Sequence, residues 1–206
     1  MDNTLQILVN SKNIKGEKRV LMSNRDIVCD YIPNSSVATY KSNNVAVYLL
    51  IGTDEQTNED LLYVGETEES VNRLRTHKQS KIFWDSAYVF YSATNQLTKS
   101  DFKYLEAKIY QKVKESNRYQ LDNSSIPKQS YVPEVRTYEL NDILQTIEFI
   151  LGGAFHIFPF ESLSIEKTED SGEVKQQEEI FYLTEKGTNA KGYLLGEGKR
   201  FVVLKG

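Results

Sequence analysis

Glu106 stands where a carboxylate is costly. At about 100° per residue, Phe102, Leu105, Ile109 and Val113 fall on one helical stripe, and Glu106 lies inside it, about 40° from Phe102. A carboxylate there needs a cation or stays protonated. A structural salt bridge to a buried arginine is one reading, and a metal or catalytic role is the other. Upstream, Arg73 and His77 are spaced i and i+4, so they share a helix face. Tyr48 and Tyr63 sit in two neighbouring apolar runs, each followed shortly by glycine. Taken singly, each has an ordinary explanation: tyrosine is common in strands, and His77 reads as a surface helix residue. His156 beside Phe155 and Phe158 reads as a packed core histidine, Cys29 as inert packing, and Trp84 with Phe83 as core. An exposed Trp84 could instead stack on a base. Only the joint pattern overrides these readings.

Several elements must position these groups. Val45–Gly52 (VAVYLLIG) and Leu61–Gly65 (LLYVG) read as a hairpin of buried strands around an acidic loop. Thr67 opens a predicted helix through Val71, Leu74 and Lys78, and Ala87–Tyr91 is a third strand. Thr98 with Asp101 is a capping box, opening the helix that carries Glu106. A further helix carries Leu140, Ile143, Leu144, Ile147 and Leu151 and is expected to stop at Gly152-Gly153. Residues 162–179 read as an acidic linker or loop. Three short strands then follow, Ile180–Leu183, Lys191–Leu194 and Phe201–Leu204, a small β-meander with the chain ending directly after it, as a truncated appendage would. The expected organisation is an N-terminal extension (1–44), a central domain (45–158), a linker (159–179) and a β-rich appendage (180–206). The expected fold class is α/β in the broad α+β sense, with a small central antiparallel sheet flanked by helices.

Composition narrows the chemistry further. The chain has 206 residues, 39% hydrophobic, which suffices for a sizeable core. One cysteine excludes a disulfide frame and a thiolate cluster, and two histidines exclude a His-rich metal site. No basic segment followed by an apolar core opens the chain, so no signal peptide is expected, and the most apolar stretch is too short to span a bilayer. A cytoplasmic, reduced protein that does not engage membranes is the expectation. The formal net charge of −4 hides an asymmetry: residues 71–120 carry ten bases against four acids, while 54–70 carry seven acids and no base. A basic middle in an acidic chain reads either as a polyanion footprint or as a solvated lysine-rich helix face.

The joint pattern resembles the GIY-YIG nuclease family. Its motifs read here as Ala46-Val47-Tyr48, Tyr63-Val64-Gly65, Arg73-Leu74-Arg75-Thr76-His77, Leu105-Glu106-Ala107 and Leu121-Asp122-Asn123. The likeness spans about residues 45–125, more weakly to about Phe158, and the surrounding text is similar to one bacterial subgroup with a small C-terminal domain. The first-motif glycine is Ala46 here, and the acidic loop from Thr53 to Asp60 is long for the family. The resemblance implies a GIY-YIG-like fold and a metal-dependent endonuclease acting on DNA. In that scheme Glu106 holds one Mg²⁺ (or Mn²⁺), Tyr48 is the general base, and Arg73 favours the phenolate and grips phosphate. Tyr63 and His77 orient water or phosphate, and Asn123 braces the site. Arg75, Lys78 and Lys81 are the expected nucleic-acid contacts. The alternatives are a nuclease-like module that binds nucleic acid or a protein without cutting, and an enzyme directed at RNA.

Overall fold

The computed structural model describes residues 4–10 and 13–161, and the backbone of the strands at 180–185, 188–195 and 200–204. The chain divides into two units, Met1–Ser164 and Ile165–Gly206. The first holds seven strands: β1 (Leu5–Val9), β2 (Lys18–Met22), β3 (Ile27–Pro33), β4 (Ala46–Thr53), β5 (Asp60–Thr67), β6 (Trp84–Ser92) and β7 (Gln120–Leu121). Its α-helices are α1 (Ser70–Ser80), α2 (Lys99–Ser116) and α3 (Glu134–Phe155). The strands form one mixed α+β sheet in the order β1-β2-β3-β6-β4-β5-β7, antiparallel except for the parallel β5–β7 pair. In the second unit, β8 (Ile180–Glu185), β9 (Thr188–Leu195) and β10 (Arg200–Leu204) pair antiparallel in the order β10-β9-β8. Among the described residues no helix is long and apolar enough to cross a membrane.

The run VAVYLLIG is apolar throughout because β4 is buried on both faces. Val47 and Leu49 pack with Phe102, Leu105 and Ile109 of α2 and Leu140 and Leu144 of α3. Ala46, Tyr48 and Leu50 face the other way, against Val71 and Leu74 of α1. The strand is therefore the centre of three layers. Ala46 is fully buried in that second core, so the alanine at the first-motif glycine fits the strand. Gly52 marks a register shift between β4 and β6, where a Cβ would run into the backbone of Phe83 and Trp84.

Several elements differ from the sequence reading. Residues 5–33, set apart as part of an extension, supply three of the seven strands of this same sheet. Asp30 hides that role, because a charge argues against a core strand; here it is 4% exposed and accepts from Arg19 Nε (2.7 Å) and Tyr40 (3.1 Å). The helix expected from Thr67 starts at Ser70, and Thr67 ends β5 with its hydroxyl accepting from Glu69 N–H. The capping box forms in both directions between Thr98 and Asp101. Helix α3 runs through Gly152-Gly153 to Phe155, because those glycines make room for Phe158 and Leu5. His156 caps it in the left-handed region at φ 57° and is exposed, so it is not a core histidine. Trp84 and Cys29 are core residues. The acidic stretch 162–179 lies outside the described residues.

Candidate active site

Alternation along β4 and β5 sends Tyr48 and Tyr63 to the α1 face of the sheet. Their rings stack with centroids 6.1 Å apart. Helix α1 then brings Arg73 and His77, one turn apart, onto the same two phenols. The Tyr48 hydroxyl receives Arg73 Nε–H at 3.0 Å and lies 2.8 Å from His77 Nε2. Arg73 also donates from Nη2 to the Tyr63 hydroxyl at 3.4 Å. Tyr48 and His77 are 1% and 4% exposed, whereas Arg73 opens to solvent. Gly65 explains the close fit: a Cβ there would overlap the Tyr48 hydroxyl and the Tyr63 ring.

Asn123 secures the strand from its outer edge. Beyond Leu62 strand β7 no longer pairs with β5, and the Asn123 amide takes over as a one-residue strand. It accepts from Val64 N–H at 3.0 Å and donates to Val64 C=O at 2.8 Å. The neighbouring Asp122 holds Lys81, whose ammonium sits 4.5 Å from the centre of the Tyr63 ring.

Glu106 lies on α2, which packs against the opposite face of the sheet, and it is within electrostatic reach of Arg73. It is partly buried, and among the described residues it has no ion-pair partner, so a structural bridge to Arg73 is not formed. Burial, then the charge of Glu66, pushes its carboxyl up to about 7, although the Glu66 backbone N–H, Lys103 and Arg73 pull the other way.

The electrostatics of the other groups bear on their chemistry. Burial pushes the Tyr48 phenol well above its ordinary value, then Tyr63 adds to the rise, and the Arg73 hydrogen bond does not reverse it. Arg73 alone therefore does not give a phenolate. Burial, followed by the charges of Arg73 and Lys81, lowers His77 to about 4, so the imidazole is neutral at pH 7. With its proton on Nδ1, His77 Nε2 accepts the Tyr48 O–H.

No protein-family model, curated protein or solved structure matches the chain.

The structure thus brings together Tyr48, Tyr63, Arg73 and His77, with Asn123 bound to the backbone of Val64 next to Tyr63 and Glu106 within electrostatic reach of Arg73. It separates the expected nucleic-acid contacts. Lys81 is at the cluster. Lys78 is tied to the backbone carbonyl of Asn34 at 2.8 Å, and Arg75 lies about 200° round α1 from Arg73. Glu66 is the residue the sequence reading missed. It lies in a run of acids that reads as solvated, yet alternation from Leu62 and Val64 puts it on the α2 face beside Glu106.

The donors fit a hard divalent cation. Glu106 is an unpaired oxygen donor, and the Oε2 atom of Glu66 beside it is sealed from solvent without a hydrogen-bond partner. Among the described residues no group of three or more His, Cys, Asp or Glu could hold a metal ion.

Proposed function

We propose that this chain is a metal-dependent endonuclease of the GIY-YIG type, hydrolysing phosphodiester bonds in DNA. The observation that carries the reading is the buried Tyr48 hydroxyl, held between Arg73 and His77, with Glu106 within electrostatic reach of Arg73. A phenol could have been buried with far less machinery. On this proposal β4, β5, α1, β6 and α2 form the nuclease module, and residues 180–206 a small appended domain.

Hydrolysis needs a deprotonated water, a neutralised phosphate and a stabilised leaving oxygen. Because the Tyr48 phenol is protonated at pH 7, it works as a relay. A water beside Tyr48 gives its proton to the phenol oxygen while the phenol's own proton passes to neutral His77 Nε2. The hydroxide attacks phosphorus, the P–O bond to the leaving oxygen breaks, the leaving alkoxide takes a proton from solvent, and the imidazolium returns its own proton to solvent. Arg73 is exposed on its outer edge and grips a non-bridging oxygen. Glu106 would hold Mg²⁺ or Mn²⁺, which when bound would supply charge neutralisation at the phosphate and the leaving oxygen. Tyr63 orients the phosphate, Asn123 keeps β5 in register, and Lys81 takes a flanking phosphate, with Arg75 and Lys78 further out.

Two alternatives stay in view: a module that binds nucleic acid or a protein without cutting, which the raised Tyr48 phenol favours, and an enzyme directed at RNA. Incubation with supercoiled plasmid, and separately with RNA, in Mg²⁺ and in EDTA tests them. Nicked plasmid in Mg²⁺ alone supports the proposal. Binding without cleavage favours the module, and cleavage of RNA alone favours the RNA-directed enzyme.

A further inference from the structure

We infer that Glu66 is a second ligand to the divalent ion at Glu106, making a two-carboxylate site at the open edge of β5. The inference rests on the metal position proposed above and adds a residue to it. The outer edge of β5 is satisfied by two successive partners: Asp122 N–H serves Leu62 C=O and the Asn123 amide serves Val64. Two residues further on, the Glu66 backbone N–H and the Glu66 charge both act on the Glu106 carboxylate, so the two residues are neighbours. Alternation puts the Glu66 side chain on the face of Leu62 and Val64, the face against which α2 and its Glu106 pack.

A carboxylate so placed should have found a donor. Glu66 Oε2 has none and is sealed from solvent. Of the nearby cations, Lys99 pairs with Glu68 and Arg73 bonds to the two tyrosines, while Lys103, on the same helix as Glu106, forms no ion pair with either glutamate among the described residues. Glu66 is only partly buried as a whole, but a sealed carboxylate oxygen without a partner is costly, and an ion is one of the few things that completes such a group. Two facing carboxylates repel, which a divalent cation between them reverses. Mg²⁺ is commonly bound through one or two carboxylates together with waters and substrate phosphates, so a pair of glutamates leaves room for both.

Mn²⁺ binding to the full chain without nucleic acid, followed by electron paramagnetic resonance and calorimetry, tests this. The wild type should bind one ion. Glu66→Gln should weaken it by about tenfold or more, since loss of even an outer-shell partner costs about 10–100-fold. Its metal-free stability should hold or rise, because a repelling charge is gone. If Glu66→Gln does not fold, Glu66→Asp keeps the charge but withdraws it by one methylene, and it should still weaken Mn²⁺. Unchanged Mn²⁺ affinity in whichever variant folds overturns the inference, and loss of ion in Glu106→Gln alongside it leaves the nuclease reading intact. A wild type that binds no Mn²⁺ overturns both.

Discussion

Replacing Glu106 with glutamine should make the metal-free protein more stable at alkaline pH. On folding, the Glu106 carboxyl rises from 4.5 to about 7. The folded chain then holds this proton more tightly than the unfolded chain, so ionising Glu106 works against folding. The cost is absent below pH 4.5 and complete above about pH 7, so stability falls as pH rises through that window. The gap corresponds to about 3 kcal/mol, which solvent screening at this partly exposed group reduces to about 1–2 kcal/mol. Glutamine keeps the size and removes the charge. Denaturant unfolding in EDTA near pH 8 should therefore favour Glu106→Gln by about 1–2 kcal/mol, and near pH 5 the two proteins should nearly coincide. Had the carboxylate been one half of a buried ion pair with Arg73, the same change would cost about 3–5 kcal/mol. A large loss of stability near pH 8 would refute the reasoning.

His77 produces the opposite pH slope: lowered from 6.5 to about 4, it contributes stability that is full above pH 6.5 and lost as pH falls through about 4. His77→Asn should flatten that acid limb by about 2 kcal/mol, read from unfolding midpoints between those values. Gly65→Ala should cost about 1–3 kcal/mol by overpacking against Tyr48. It should also push the phenol off His77, so nicking should fall well beyond what the melting temperature accounts for. Asn123→Ala leaves the Val64 N–H and C=O without their partner, which should cost about 1–3 kcal/mol in thermal melts. Charge removal at Lys81 should lower the salt slope of DNA binding by about one, and removal at Arg75 should do so only if DNA wraps the far side of α1.

The motif residues were singled out jointly, through their resemblance to a family pattern, since taken one at a time most of them have an ordinary explanation. Tyr48 and Tyr63 lie in apolar runs, His77 follows Arg73 by one helical turn, and Glu106 interrupts an apolar stripe behind an intact capping box. What was hidden depends on distant partners. Strand β3 disguises itself with Asp30, whose charge is met by Arg19 on β2 and by Tyr40 beyond the strand. β1 exposes Ile7, Leu8 and Val9, so no buried face marks it as a strand. Glu66 is lost among Glu68 and Glu69 until the sheet's alternation separates it from them. The Gly152-Gly153 pair looks like a helix stop, and only the approach of Phe158 and Leu5 shows it to be a packing surface. The lysines and arginines of 71–120 left a footprint and a solvated helix face both open, and sequence spacing does not say that Lys78 is held by Asn34.

Single-turnover nicking by Tyr48→Phe tests the central claim most directly, because the change deletes one hydroxyl and the two hydrogen bonds that define the cluster. With DNA affinity and folding unchanged, the rate should fall by about 10²-fold or more, the scale of lost proton-transfer assistance. A rate within about twofold of wild type, far inside that scale, would contradict the assignment of Tyr48, and with it the reading of this cluster as an active site.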